Sequence, residues 1–182
     1  MWRSQIAKAV GKLKSDGVIL HATEGVWGLA CDPWSEIAVR RLLSFKKRSI
    51  EQGLILIGAS ARYFSAELAA LRADERSAIN ASWPGPVTWV VPNERFPFWV
   101  TGRHSTVAIR VPGHAQARKL SHKFGGPLIS TSANPSGAPS ALTEDEARDY
   151  FETQVDQVLP GHVLRPGAAS VIRALDGTAI RS

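Results

Sequence analysis

Polar side chains recur at every second residue along two short segments that are otherwise apolar or small. Ser130, Ser132 and Asn134 form one series, and Thr106 and Arg110 belong to the other. Alternate side chains of an extended chain share one face. The guanidinium fork and small hydroxyls of these faces suit an anionic ligand that is rich in oxygen. The same pattern also fits the solvated side of a half-covered sheet.

Two cations, Lys46 and Arg48, precede the apolar segment Leu54–Ile57, and we expect them to share a face and to be partly exposed. Residues 132–140 are Ser, Ala, Asn, Pro and Gly, which predicts a loop directly after a buried strand. Ligands bind beyond the ends of such strands in many α/β sheets, although a plain surface turn has the same composition. Thr23 follows the first predicted strand and is expected either to donate to a ligand or to cap a turn.

The elements that position these residues follow from apolar periodicity and turn residues. Six helices are predicted. The first spans residues 3–15, the second follows a cap at Ser35, and two lie within residues 61–82. The fifth spans residues 114–124, and the sixth runs from a Thr143–Glu146 capping box to Phe151. Strands are predicted at Val18–Leu20, Leu54–Ile57 (central), Val87–Val91, Val107–Val111 and from Leu128, with two or three more near the end around an Asp176–Gly177 turn. Connections are predicted at His21–Gly28 and Pro92–Trp99. This order predicts an α+β fold, a single domain over residues 1–182 with a mixed twisted β-sheet flanked by helices.

Composition narrows the class of protein. The 182 residues include 22 Lys+Arg and 16 Asp+Glu, a net charge of +6. A pI near 9.9 indicates an anionic partner or a basic but inert surface. The one cysteine, Cys31, excludes a disulfide framework and is expected to be a buried thiol. The five histidines lack ligand spacing and are expected to be surface or satisfied residues, with no metal site. No apolar run is long enough for a membrane span or a signal core, so we expect a cytoplasmic protein.

Five segments of the chain form a recognisable set: Ala22–Pro33, Lys46–Arg48 leading into Gly53–Ile57, Trp83–Thr88, Thr106–Pro112 and Ser130–Gly137. Together they resemble the YrdC/TsaC family of threonylcarbamoyl-AMP synthases. They occur in the family's order and spacing over residues 17–182. The resemblance implies a YrdC-like fold with a concave basic cleft.

The resemblance also implies a reaction. The family joins L-threonine, bicarbonate and ATP into threonylcarbamoyl-AMP with release of pyrophosphate, for t6A at position 37 of tRNAs reading ANN codons. It implies Mg²⁺ entering with ATP, held mostly by phosphates and water, and no tightly bound organic cofactor. A separate threonylcarbamoyltransferase complex is the implied acceptor of the product, and tRNA is a possible partner.

The family's site residues map onto this chain as follows. Those implied to be catalytic are Lys46, Arg48, Ser132 and Asn134; these four, with Thr106, Ser140 and Arg181, are implied to bind ATP; Thr23, Arg110, Ser130 and Ser170 are implied to bind threonine. The chain departs from the family pattern at His21–Ala22, where a proline before Thr-Glu is usual, and at Gly58, where many relatives have histidine.

Three alternatives stay open. A non-catalytic module that binds tRNA or double-stranded RNA through the same basic face would fit the pI and the six tryptophans. A sugar-phosphate enzyme of the dihydroxybutanone-phosphate synthase type would need acidic metal ligands, and no such cluster stands near the motifs. A carbamoyl-transfer domain of hydrogenase maturation proteins would carry further domains and zinc-finger cysteines.

Overall fold

The computed structural model describes residues 2–181, with side chains for residues 4–180. The helices of this part are α1 Trp2–Leu13, α2 Glu36–Lys46, α3 Ser65–Ala69, α4 Ala73–Ser82, α5 Phe98–Thr101, α6 Ala115–Phe124 and α7 Glu144–Phe151. Short 3₁₀ turns span Ile50–Gln52 and Ala61–Phe64. The strands are β1 Ile19–Ala22, β2 Trp27–Cys31, β3 Ile55–Ile57, β4 Val87–Pro92, β5 Thr106–Arg110, β6 Leu128–Ser132, β7 Gln157–Val158, β8 Val171–Arg173 and β9 Ala179–Arg181.

The predicted helix starts are confirmed by their caps. The Ser35 side chain accepts from the Ala38 amide at 3.1 Å, which satisfies a donor at the first turn of α2. Thr143 and Glu146 form a reciprocal capping box at the start of α7. These side chains supply hydrogen-bond acceptors to amides in the first turn, which have no partner within the helix. The residues that predict a helix start are therefore the same residues that stabilise it.

The described strands form one mixed sheet in the order β7-β1-β2-β6-β3-β5-β4-β8-β9. Pairs β1–β7, β3–β5 and β4–β8 are parallel and the other pairs are antiparallel. β3 is the fifth of nine strands, which confirms the predicted central position of Leu54–Ile57. The mixed sheet with flanking helices confirms the predicted fold class.

One face of the sheet is covered over most of its length. Leu29 on β2, Leu56 on β3 and Ile109 on β5 pack there in the large apolar cluster, with α2, α4 and α7. On the other face, α1 and α6 cover one part through a smaller cluster that includes Leu13 and Leu120. The rest of that second face is not covered by these helices, and it carries the alternate polar residues of β5 and β6.

One predicted connection was wrong, and a second is confirmed only over residues 93–97. The stretch His21–Gly28 contains the end of β1 and the start of β2, which form an antiparallel hairpin around residues 23–26. β2 is buried on both faces, so its sequence shows no alternation of polar and apolar residues. The predicted loop Pro92–Trp99 runs into the short helix α5. In the part of the chain that the structure describes, no helix is long and apolar enough to cross a membrane.

Candidate active site

A cavity of about 490 Å³ opens on the part of the second face that α1 and α6 leave uncovered. Its volume lies within the usual range for small-molecule sites. Eight of the predicted site residues line it: Thr23, Arg48, Thr106, Arg110, Ser130, Ser132, Ser140 and Ser170. Among the described lining residues Arg48 and Arg110 carry full charges, and none is acidic. The alternation of polar residues on β5 and β6 therefore marks a cavity wall.

Arg110 is held in place by a carboxylate that sequence reasoning did not assign. Its Nη2 lies 2.5 Å from Glu24 Oε1, and its Nε donates to the Gly85 carbonyl at 2.9 Å. The Glu24 carboxylate also accepts from the amide of Gly113. Burial lowers the pKa of Arg110, and the charge of Glu24 acts in the opposite direction. The pair fixes the Arg110 guanidinium in place, and the Glu24 carboxylate offsets its positive charge.

The hairpin turn before β2 supplies Thr23 to the cavity. Its hydroxyl donates to the Val26 carbonyl at 2.7 Å, so the predicted turn cap is present, and the residue also lines the wall. Gly25 in the same turn approaches the segment at residues 165–170 closely. A Cβ there would lie 1.7 Å from the Ala168 carbonyl oxygen, so this position needs glycine. Ser170, at the end of that segment, accepts from Thr88 Oγ1 at 3.0 Å.

Lys46 does not line the cavity, and the expectation that it is partly exposed was wrong. It is the last residue of α2 and is 4% exposed. Its Nζ donates to the carbonyls of Ser132 and Asn134 at 2.5 and 2.8 Å. Its own carbonyl accepts from the Ser136 amide at 2.8 Å. Lys46 therefore fastens the loop at 132–140 to the end of α2.

Lys46 and Arg48 do not share one extended face as predicted. Lys47 between them has a positive φ of 50° as the C-cap of α2, so the chain turns there. Arg48 is partly exposed, as expected, lines the cavity and donates from Nη2 to the Gly53 carbonyl at 2.8 Å. Burial, followed by the nearby charge of Arg48, lowers the pKa of Lys46 to about 8. Arg48 therefore reaches the cavity wall, whereas Lys46 reaches the 132–140 loop beside it.

Two further predicted residues lie off the cavity wall or outside the described side chains. Asn134 donates from Nδ2 to the Ala138 carbonyl at 2.7 Å, which shapes the 132–140 loop. Arg181 pairs with Ile172 in the backbone of β8 and β9, and its side chain lies outside the described residues. The structure thus brings eight predicted residues to the cavity and places Asn134 in the loop beside it.

The expectation that each histidine is a surface or satisfied residue holds only in part for His21, since one of its two ring nitrogens has a hydrogen-bond partner. His21 is fully buried, and its Nε2 lies 3.0 Å from Ser130 Oγ. Its Nδ1 has no hydrogen-bond partner among the described residues. Cys31 is buried as predicted, and burial raises the pKa of its thiol.

Sequence reasoning also missed cavity residues outside the predicted motifs. Gln52 and His104 line the wall, and Ile172 and Ile180 contribute apolar surface from β8 and β9. Loop residues have no periodicity that would single them out, and the pairing of β8 with β4 is a long-range contact. Among the described residues, no group of three or more His, Cys, Asp or Glu side chains could hold a metal ion.

A mixed sheet flanked by helices, with a cavity on the part of one face that the helices leave open, defines a mixed α/β domain with space for a small molecule. The chain belongs to the Sua5/YciO/YrdC family: the model of that family, described as "Telomere recombination", matches residues 11–181. The resemblance to the YrdC/TsaC family is thereby confirmed.

Curated relatives of this chain carry the name threonylcarbamoyl-AMP synthase. Threonylcarbamoyl-AMP synthase of Pseudomonas fluorescens (strain Pf0-1) is 46% identical over 175 residues, covering 96% of this chain and 93% of the relative. The protein of that name from Halorhodospira halophila is 47% identical over 160 residues, covering 87% of this chain and 84% of the relative.

Two solved structures share the fold. P. abyssi Sua5 complexed with L-threonine has a TM-score of 0.88 and 30% identity, covering 94% of this chain and 51% of that one. The chain therefore spans about half the length of the solved Sua5 chain. E. coli YciO has a TM-score of 0.86 and covers 100% of this chain and 90% of its own, but its 21% identity extends the likeness to the fold alone.

Proposed function

We propose that this chain synthesises L-threonylcarbamoyladenylate from L-threonine, bicarbonate and ATP, with release of pyrophosphate. The observation that carries the proposal is the convergence of Arg48, Arg110 and a row of hydroxyls on one cavity whose described lining has no acidic side chain. The names of the relatives and the L-threonine bound to a solved Sua5 structure support it.

The chemistry requires cations more than a nucleophilic side chain. The threonine amine adds to the bicarbonate carbon and water leaves, which gives a carbamate. A carbamate oxygen then attacks the α-phosphorus of ATP, and the bond to the β-phosphate oxygen breaks as pyrophosphate leaves. Both reacting groups are anionic, so fixed positive charge must offset their repulsion and the charge on the leaving group. Holding the two groups together supplies much of the remaining acceleration.

The proposed roles are those that the family resemblance implies, although Lys46 and Asn134 lie off the cavity wall. Arg110, fixed by Glu24, is the proposed partner of the threonine carboxylate, with Thr23, Ser130 and Ser170 around the same substrate. The proposed ATP contacts are Lys46, Arg48, Thr106, Ser132, Asn134, Ser140 and Arg181, of which Lys46, Arg48, Ser132 and Asn134 would hold the reacting groups.

Magnesium is proposed to enter with ATP. Phosphate oxygens and water would hold it, since the described residues provide no carboxylate cage. When bound, the ion offsets the negative charge of the phosphates. No tightly bound organic cofactor is proposed.

The wider role proposed is t6A37 modification of tRNAs reading ANN codons. The adenylate would pass to a threonylcarbamoyltransferase complex, and direct contact with tRNA would suit the net charge of +6. The proposed compartment is the cytoplasm, where ATP and tRNA are both present.

The test is pyrophosphate release by the purified chain with ATP and magnesium, with and without L-threonine and bicarbonate. Release that needs both is the expected result. Arg48→Ala should abolish it, whereas Lys47→Ala, a change at the exposed neighbouring cation, should not. Release without threonine would contradict the proposed substrate, and tRNA binding without any ATP binding would favour the RNA-binding alternative.

A further inference from the structure

The buried imidazole of His21 lies directly behind the cavity wall, and the proposed chemistry does not use it. His21 is on β1, and Ser130, which lines the cavity, is on β6. Strand β2 runs between them. The side chain of His21 crosses β2 to place Nε2 3.0 Å from Ser130 Oγ.

Gly28 leaves room for this crossing. It pairs with His21 across the β1–β2 hairpin. A Cβ at position 28 would lie 3.3 Å from His21 Nε2 and 3.4 Å from Ser130 Oγ, in the space that the two side chains share. The His21–Ser130 contact is therefore built from three adjacent strands, and its distance is set by the sheet.

The protonation of His21 follows from its surroundings. Burial, and then the nearby charge of His114, lowers the pKa of His21 to about 4, and the backbone of Ala22 acts in the opposite direction. At neutral pH the ring is thus uncharged and carries one N–H. Nδ1 has no hydrogen-bond partner among the described residues. Because a buried N–H is rarely left without an acceptor, the proton belongs on Nε2, which donates to Ser130 Oγ.

This tautomer determines what the Ser130 hydroxyl can do. Its oxygen accepts from His21, so its own hydrogen points away from the imidazole and is available to the cavity. Thr23 on the same wall has its hydrogen engaged with the Val26 carbonyl. Ser130 is therefore a hydroxyl donor available to an anionic oxygen in the cavity.

We propose that His21 is a positioning residue that orients the Ser130 hydroxyl as a hydrogen-bond donor to an anionic oxygen of the amino-acid substrate. His21 does not itself touch the substrate. The proposal rests on the proposed function for the identity of that substrate, whereas the His21–Ser130 geometry stands without it.

The kinetic test compares His21→Phe, His21→Gln, Ser130→Ala and the double variant His21→Phe/Ser130→Ala. Loss of one hydrogen bond to a charged oxygen should raise the KM for L-threonine about tenfold in His21→Phe, with the KM for ATP unchanged. His21→Gln restores an N–H donor and should recover most of the affinity. The KM for L-threonine of the double variant should be no higher than that of Ser130→Ala, because the two changes remove the same hydrogen bond to the substrate.

His122→Phe is the matched control, since it makes the same change at an exposed histidine on α6 and should alter neither KM. An unchanged threonine KM in His21→Phe would overturn the proposal. So would a double variant whose loss is the product of the two single losses.

A measurement on the wild-type chain keeps the proposal testable if His21→Phe does not fold. The ¹⁵N–¹H spectrum of the imidazole should place the proton on Nε2, and a proton on Nδ1 would contradict the proposal. If the wild-type chain releases no pyrophosphate, the proposed function fails. The tautomer and a calorimetric titration with L-threonine then still test His21.

Discussion

The buried ion pair between Glu24 and Arg110 provides a sharp test of how the cavity is held together. Their charged atoms are 2.5 Å apart, and the two side chains are only 11% and 10% exposed. Replacing Glu24 with Gln keeps the shape and an oxygen acceptor but leaves the guanidinium buried without a counter-charge. Breaking a buried pair in this way costs about 3–5 kcal/mol. For a chain of this size that predicts a fall in Tm of about 6–20 °C.

The chain contains a matched control for this prediction. Arg103 and Glu51 have the same 2.5 Å separation, but their side chains are 73% and 44% exposed. Glu51→Gln should cost less than about 1 kcal/mol, because water screens an exposed pair. Thermal denaturation of the two variants side by side separates the effect of burial from that of distance. Equal shifts in Tm would refute the reasoning.

The same pair predicts how a ligand should act. In Glu24→Gln the uncompensated Arg110 becomes a stronger partner for a carboxylate. L-Threonine at a fixed concentration should therefore raise the Tm of Glu24→Gln more than that of the wild-type chain. A smaller rise in the variant would show that Arg110 does not meet the ligand's carboxylate.

Three further outcomes are expected. Arg48→Ala should abolish threonine-dependent pyrophosphate release. The far-UV circular dichroism should stay unchanged, because Arg48 is partly exposed and lies outside the core. A normal rate of release in this variant would show that Arg48 is not part of the site. Arg110→Ala should mainly raise the KM for L-threonine, and an unchanged threonine dependence in steady-state kinetics would give Arg110 another role. Lys46, whose pKa is lowered to about 8, is charged below that pH and neutral above it, so the KM for ATP should rise between pH 7 and 9. Lys46→Arg, which stays charged, should flatten that profile, and an equally steep profile would assign the titration to another group.

The faces of the sheet could be predicted because a strand's period of two is a local property. The alternation around Ser130 and around Arg110 marked the residues that line the cavity, and the capping residues marked the helix starts. The central position of β3 could be predicted from its uninterrupted apolar residues.

What could not be predicted depends on contacts between distant segments. Strand β2 was not predicted, because its burial on both faces removes the alternation of polar and apolar residues that identifies a strand. The anchoring of the 132–140 loop by Lys46 joins residues 86 and 88 positions apart, and nothing in the spacing of charges indicates it. Glu24 and His21 acquire their roles only when the sheet brings Arg110 and Ser130 beside them.

The close approach of Gly25 to Ala168 has a consequence for the order of assembly. The first hairpin and the segment before β8 form adjoining parts of one cavity wall, although well over a hundred residues of chain separate them. Folding during synthesis begins with the N-terminal part of a chain. The hairpin can therefore form early, but the wall is completed only after residues 168–172 have left the ribosome. A nascent chain with most of its sheet already paired would still lack part of its substrate site, so ligand can add its binding free energy only at the last stage of folding.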